Sequence, residues 1–439
     1  MKNNMTFYEF LKNNAMEYGD NPAVLYDTFE VSHKTLFEDA VNKAIHLRRF
    51  AGEKIAIYGP ASYRWIVNVF GTILAGKDAV LVDFFVPQDV RSDMLAKTKM
   101  DYILCSTNQY ILSDADATII DGAEKDDVTG LSYDESLAEG NIIMFTAIRE
   151  ESDKPVVLDM KDLLNTVVNV NGYCKCTSDD RVLAQISWHY IMGLLYTLIW
   201  PLSNGACVCV GRGLRHIDSD TFYYNPTILP GTPSMIEHVK RCKAFNEELR
   251  MVIVGGAPCS DKLYEELSQK SFDLYMVYGM EQTTGSIAVS CNNKDSYEMF
   301  DAKNIRIAGD GEILVSGACV MVGYDNDVEA NTRVITEGWL HTGDYGRIND
   351  EGRLEVIKRN PDIILLSTGE KISRLVMDRE ISSLPGIVEG HVELKEDKLV
   401  AVVTPIESGA NPDKIKMRID RYNDKKGYRF RIQDVEVRG

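Results

Sequence analysis

Export and membrane signals are missing from this chain. No stretch approaches the ~20 uninterrupted apolar residues of a membrane span, and the opening MKNNMTFYEFLKNN has no apolar core of the kind a secretory leader needs. A cytoplasmic location is the resulting expectation. A basic excess is missing too: 48 Lys and Arg face 66 Asp and Glu, and a net charge of −18 repels a phosphate backbone, which argues against nucleic-acid binding. No internal repeat and no low-complexity tract is visible, so nothing suggests a solenoid. The nine cysteines are scattered, and in a long chain with no export signal they read as reduced thiols. Two C-x-C pairs, Cys174/Cys176 and Cys207/Cys209, are open to a metal reading, but alternate positions in ACVCVG are what one face of a buried strand supplies.

What is present is the balance of a soluble globular protein. At 439 residues, 45% hydrophobic and 26% charged, the chain is long enough for two or three compact units. Short apolar runs bounded by glycine or turn residues recur: KIAIYG, DAVLVDF, YILCS, ACVCVG, PTILPG and LRMVIVGG. Between them lie segments such as SYRWIVNVFGTILAG, apolar at three- and four-residue spacing. This alternation is an α/β signature, and continuous apolar strands suit parallel sheets covered by helices on both faces. After about residue 300 the texture changes to short strands and tight turns, with GEILVSG and then INDEGRLEVI turning at Asp350-Glu351-Gly352. Beyond Lys358-Arg359, IVEGHVELKEDKLVAVVTP predicts a hairpin, PDKIKMRIDRYN a helix and RFRIQDVEV a last strand. The expected organisation is a large part over residues 1–357, with two helix-flanked sheets and a small β subdomain, and a small α+β domain over 358–439.

The densest constellation is GWLHTGDYGRINDEGRLEVIKRNPDIILLSTGEKIS, from Gly338 to Ser373. A carboxylate on a tight glycine turn, as at Gly343-Asp344, can accept two charge-assisted hydrogen bonds from the hydroxyls of a ribose. Taken alone, a turn-capping Asp after glycine is the commoner explanation. Upstream, LRMVIVGGAPCSDKLYEEL ends a strand at Gly255-Gly256-Ala257-Pro258, where missing side chains let a flat ring lie against backbone. Some twenty residues on comes MVYGMEQTTG, with Tyr278 and Gly279.

Together these stretches resemble the adenylate-forming (AMP-binding) superfamily, in its acyl-CoA-synthetase-like branch, over roughly residues 7–436. The first matches the family's G-W-x-x-T-G-D, D/K-R hinge, R-x-x-D and G-E-x-I series at Trp339, Thr342, Gly343, Asp344, Arg359, Asp362, Gly369, Glu370 and Ile372. The resemblance implies that Asp344 binds ribose, Arg359 the ribose or phosphate, Tyr278, Gly279 and Gly256-Ala257-Pro258 the adenine, and that Lys358 is the hinge. WHYIMGLLYTLIWPLSNGACVCV is similar to the family's acyl-pocket helix, which makes His189 a candidate gate; a lone histidine beside apolar residues also suits plain packing.

The pattern departs from the family at three places. The phosphate loop, T-S-G-T-T-G-x-P-K-G in the family, corresponds to Thr146-Ala147-Ile148-Arg149-Glu150-Glu151-Ser152-Asp153-Lys154-Pro155. Its glycines are replaced and three acidic residues stand where a polyanion should rest; a like-charge contact near 4 Å costs roughly 4 kcal/mol at an effective dielectric of 20. Thr146, Arg149, Ser152 and Lys154 are the candidates left for the polyphosphate, and Thr146 and Lys154 are poor ones without the loop's glycines. Glu281 and Gln282 occupy the family's Thr and Glu positions, so Mg²⁺ would be held by Gln282, or by Glu281 from one position away. Finally, no residue matches the family's P-x-T-x-x-G-K catalytic lysine, since RIQDVEVRG lies just before that segment.

The resemblance implies activation of a carboxylic acid, expected to be fatty or otherwise apolar, by ATP as acyl-AMP, with transfer to CoA or to the phosphopantetheine of a carrier protein. ATP/AMP and Mg²⁺ are the implied cofactors, with a carrier or an activating chain as the implied protein partner. The three departures favour an alternative, a pseudoenzyme that binds AMP, an acyl-adenylate or a fatty acid and regulates a partner. An assembly scaffold without ligand is opposed by Asp344, Arg359 and Tyr278.

Overall fold

The computed structural model describes residues 5–84, 86, 88–107, 117–120, 132–136, 138–145, 148–149, 154–358, 363–366, 371–396, 398–406, 411–424 and 431–438. Two large sheets, built from the first 300 residues and one later edge strand, organise the large part of the chain. One has seven strands in the order Gly323–Tyr324, Pro155–Leu158, Ile142–Phe145, Asp78–Val82, Lys54–Tyr58, Tyr102–Cys105 and Thr118–Ile120. The other has nine: Glu298–Met299, Ala288–Cys291, Asp273–Tyr278, Met251–Val254, Ile228–Gly231, Arg181–Ala184, Cys207–Val210, Pro22–Tyr26 and Phe29–Ser32.

Their strands are apolar throughout because both faces are covered. In Lys54–Tyr58, Ile55 and Ile57 pack into the main core while Ala56 and Tyr58 join a separate cluster on the opposite face. The main core also takes Val24, Val182, Val208 and Met251 from the nine-stranded sheet, so it fills the layer between the sheets. The helix Tyr63–Leu74 runs through that layer: the Ser62 hydroxyl caps it by accepting the Trp65 N–H, and every residue from Trp65 to Leu74 is buried. At about 25 cal/mol per Å² of apolar surface, such a helix is held by burial and not by propensity, which its β-branched Ile and Val content would lower.

The central strands pair in parallel as the apolar runs predict, but each sheet is mixed. Ile142–Phe145 with Pro155–Leu158 and Asp273–Tyr278 with Ala288–Cys291 are antiparallel. Short connections of this kind leave no room for a crossover helix, so the chain must reverse. Cys207 and Cys209 point to one face, buried with Leu183 and Val252, as the alternation required. Cys174 and Cys176 are buried at the end of the helix Met160–Tyr173, and no group of three or more His, Cys, Asp or Glu placed to hold a metal occurs among the described residues.

After residue 300 a five-stranded sheet contains Ile305–Ile307, Glu312–Val315, Trp339–Ile348, Ile335–Thr336 and Leu354–Lys358, with the expected reversal at Asp350-Glu351-Gly352. Farther on, Ile387–Lys395 and Lys398–Pro405 form the expected hairpin, Pro412–Asn423 the helix, and the last strand is confined to Asp434–Val437. This portion has its own core, including Ile381, Val392, Leu399, Ile415 and Ile419. Its strand Lys371–Ser373 pairs in parallel with Ile148–Arg149. No described helix is long and apolar enough to cross a membrane.

Candidate nucleotide and acyl site

The strands Met251–Val254 and Asp273–Tyr278 lie side by side and parallel, so their carboxyl ends open at the same edge, where α/β sheets receive ligands. Gly255 and Gly256 follow the first. A Cβ on Gly255 would lie 2.4 Å from Val277 Cγ2, and Gly256 has φ +77, a conformation that favours glycine. Ala257 is buried while Gly256 and Pro258 are exposed, forming a shelf with bare backbone outward. Gly279 is forced by contact: its Cβ would meet Gly285 O at 2.5 Å and Ser286 Cα at 2.6 Å.

Tyr278 and Asp344 are brought together from different sheets. The Tyr278 hydroxyl donates to Asp344 Oδ2 at 3.0 Å, and the two residues are 1% and 4% exposed. The Asp344 turn is itself held by three contacts. Gly343 (φ 71) donates its N–H to Glu312 Oε1 at 2.8 Å, Asp344 N–H donates to Thr342 Oγ1 at 3.1 Å, and the Thr342 hydroxyl donates to Ile313 O at 2.7 Å. Glu312 Oε2 lies 2.7 Å from His341 Nδ1, whose Nε2 lies 2.7 Å from Thr336 Oγ1. Glu312 was not singled out from the sequence, although the motif GEILVSG contains it and His341 stands inside GWLHTGD.

Of the phosphate-loop candidates, Thr146 and Ser152 lie outside the described residues, and Arg149 is placed only as a strand residue paired with Ile372. Lys154 is placed fully: its Nζ is 3.1 Å from Asp327 Oδ2 and 4.9 Å from the centre of the Tyr324 ring. Tyr324 also accepts a hydrogen bond at 3.1 Å from Gln282 Nε2. Tyr324, which sequence reasoning passed over, therefore joins the loop's end to the Gln282 position. Gln282 is 9% exposed, and its Oε1 is buried with no hydrogen-bond partner. Glu281 beside it is also buried, in the short 3-10 turn Glu281–Thr283. Arg359 lies outside the described residues, and Lys358 is placed only as the last residue of the strand Leu354–Lys358.

His189 stands just before the helix that begins at Ile191, which passes through a π-helical segment, Leu195–Ile199. Such bulges interrupt helices where side chains must be re-aimed. Thr197 makes the interruption coherent, donating to Gly193 O at 2.7 Å and accepting Trp188 Nε1–H at 3.0 Å. His189 Nδ1 is 2.7 Å from Ser187 Oγ, and its ring meets Trp65 edge-on at 5.6 Å. Burial holds this imidazole below its ordinary pKa, and the charge of Asp83 only partly opposes that. Met192, three residues on, has its Sδ 3.2 Å from where a Gly255 Cβ would sit, so this helix start abuts the glycine shelf.

Comparison with known proteins matches residues 152–325 to the AMP-binding enzyme family. A Rhodococcus jostii (strain RHA1) relative, 3-[(3aS,4S,7aS)-7a-methyl-1,5-dioxo-octahydro-1H-inden-4-yl]propanoyl:CoA ligase, is 26% identical, the alignment covering 87% of this chain and 84% of the relative. The 2-succinylbenzoate–CoA ligase of Bacillus subtilis (strain 168) is 25% identical, covering 91% and 89%. Among solved structures, a double mutant of o-succinylbenzoate CoA synthetase from Bacillus subtilis bound to a product analogue superposes with a TM-score of 0.81 at 21% identity, over 98% of this chain and 94% of that one. The structure of IdnL1 superposes at 0.83 with 16% identity, over 100% and 99%. Residues 152–325 thus match the AMP-binding enzyme family, the chain is similar along most of its length to CoA ligases, and its fold is that of the adenylate-forming enzymes.

Proposed function

We propose that this protein is an AMP-forming acid–CoA ligase. The acid's carboxylate oxygen attacks the α-phosphorus of ATP, pyrophosphate leaves, and an acyl-AMP forms. The thiolate of CoA then attacks the acyl carbon and AMP leaves. The observation that carries this reading is the buried Tyr278–Asp344 hydrogen bond at the edge where the Gly255-Gly256 shelf opens. Asp344 would accept the ribose hydroxyls while Tyr278, locked by that bond, presents its ring to the adenine. A pre-set pair of this kind lowers the ordering cost of binding. The named relatives support CoA as acceptor; a carrier thiol is the second acceptor of the same chemistry.

Among the described residues, one corner suits a cation. The unpartnered Gln282 Oε1, with Glu281 beside it, is where Mg²⁺ would be held. The ion would supply charge neutralisation for the triphosphate. Lys154, already paired with Asp327, would turn toward the β- and γ-phosphates, and Arg149 and Arg359 would add charge as the loop and hinge close. The hinge at Lys358 divides a catalytic body, residues 1–357, from a mobile unit, residues 358–439, in this reading. Trp188, Ile191, Met192 and Leu195, all buried, would form the apolar wall of the acyl site, with the buried His189 beside them. The acid need not be a simple fatty acid, because the relatives are named for a dioxo-indenyl propanoate and for 2-succinylbenzoate.

Calorimetric titration with ATP·Mg²⁺ and separately with AMP tests the reading. Both ligands are expected to bind, and Asp344→Ala is expected to weaken each by about 10-fold or more, the loss of charge-assisted bonds worth roughly 1.5–3 kcal/mol. Binding of AMP without ATP·Mg²⁺ would overturn the ligase mechanism in favour of an adenylate-binding protein.

A further inference from the structure

Three buried polar side chains beside the acyl wall keep atoms that no protein group satisfies. Trp65 and Asn68 are completely buried, yet Trp65 Nε1 and both amide atoms of Asn68 have no hydrogen-bond partner. His189, 7% exposed, leaves its Nε2 in the same state. Two of them touch, and the third lies one helical turn from the first. The Trp65 and His189 rings are in edge contact, and Asn68 follows Trp65 by three residues on the helix Tyr63–Leu74, hence on the same side. Buried polar groups are normally paired, so three unmet side chains in one place call for an occupant.

Their position says what kind. The strand Lys54–Tyr58 leads into the helix carrying Trp65 and Asn68, Arg181–Ala184 leads to His189, and Asp78–Val82 ends beside Asp83, which accepts a hydrogen bond from Tyr190 at 3.2 Å. The cluster thus lies at the carboxyl ends of parallel strands from both sheets. Met192 connects it to the Gly255 shelf. We infer that Trp65, Asn68 and His189 form a subsite that receives an uncharged oxygen, a ketone or hydroxyl, carried in the acyl portion of the acid. This deepens the ligase reading and rests on it.

Trp65 offers a donor and Asn68 both a donor and an acceptor. His189 Nε2 takes whichever role its Ser187 contact leaves open. None of the three carries a fixed positive charge, and Asp83 lies close to the histidine, so a second carboxylate would be buried without a counter-charge. A plain alkyl tail would leave every one of these groups unmet, which is the stronger form of discrimination a polar pocket can exert. Trapped water is the competing occupant.

The test uses the full chain with AMP present and two pairs of acids differing only in a carbonyl: 4-oxo-4-phenylbutanoate against 4-phenylbutanoate, and 4-oxooctanoate against octanoate. Calorimetric titration is expected to show at least one oxo acid binding about 10-fold or more tighter than its methylene counterpart. In Asn68→Leu that preference is expected to shrink to roughly 2-fold or less. Trp65→Phe, which keeps a ring and removes the N–H, serves if the first variant does not fold. Absence of any oxo preference in the unsubstituted protein, or a preference that survives both substitutions, overturns the subsite and leaves water as the occupant. Titration with AMP alone, with and without Asp344→Ala, reports the nucleotide reading separately; if AMP fails to bind, the acid pairs titrated without nucleotide still decide the subsite.

Discussion

Tyr278 shows how a single residue carries two jobs. Its ring closes the core at 1% exposure and its hydroxyl aims Asp344, so the phenol is a positioning group as well as a packing one. Tyr278→Phe is expected to leave the fold intact, costing about 1 kcal/mol in denaturant unfolding, and to weaken AMP binding several-fold by calorimetry. Asp180 is a purely structural counterpart. It is 3% exposed, and burial alone would raise its pKa; hydrogen bonds from Arg250, Thr227 and the Thr177 N–H outweigh that and hold the carboxyl below its ordinary value. A depressed folded pKa contributes stability that is present above the unfolded value near 4 and lost as pH falls through the folded value. Melting temperature is therefore expected to drop on acidification below about pH 4, and Asp180→Asn to remove part of that drop while costing about 2–4 kcal/mol at pH 7.

At the scale of elements, the helix Met160–Tyr173 holds a group of the opposite sign. Burial, with Asp159 adding repulsion, raises the pKa of Asp162 to about 6. A raised acid pKa gives stability that is complete below the unfolded value near 4 and lost as pH rises through about 6. Asp162→Asn is thus expected to be more stable than the parent at pH 8 and equal to it near pH 4. The two-unit shift caps the gain at roughly 3 kcal/mol, and the half-exposed position reduces it to about 1; chemical denaturation at the two pH values measures it. The π-helical element is tested through Thr197→Val. The substitution strips Trp188 Nε1 of its acceptor inside the core, and a loss of about 1–3 kcal/mol is expected. Helix and strand identities were largely readable in the sequence, because period and apolar runs report directly on burial, as in LRMVIVGG and PDKIKMRIDRYN. The antiparallel strands at the sheet margins were not, since strand direction depends on which neighbour the chain meets.

For the whole molecule, the separateness of the cores has a consequence. None of the three clusters that fill and flank the large sheets contains a residue beyond Val356, whereas the C-terminal cluster draws only on Ile364 and later residues. A chain ended after Lys358 is expected to melt cooperatively by calorimetry and to retain AMP binding that depends on Asp344. Loss of folding in that fragment would show that the pairing of Lys371–Ser373 with Ile148–Arg149 supports the large body.

The sequence by itself determined the α/β class, the candidate nucleotide residues and the departures at the phosphate loop and at Gln282, because those follow from local pattern: period, turn chemistry and motif spacing. It also marked Cys207 and Cys209 as packing residues through strand alternation alone. Only the tertiary structure decided what meets what. Tyr278 reaches Asp344 across 66 residues, Lys154 reaches Gln282 by way of Tyr324, and Trp65 meets the His189 ring while both keep a nitrogen without a partner. None of these follows from spacing along the chain, because each depends on how two sheets pack about one buried helix layer, and packing is a property of the folded whole.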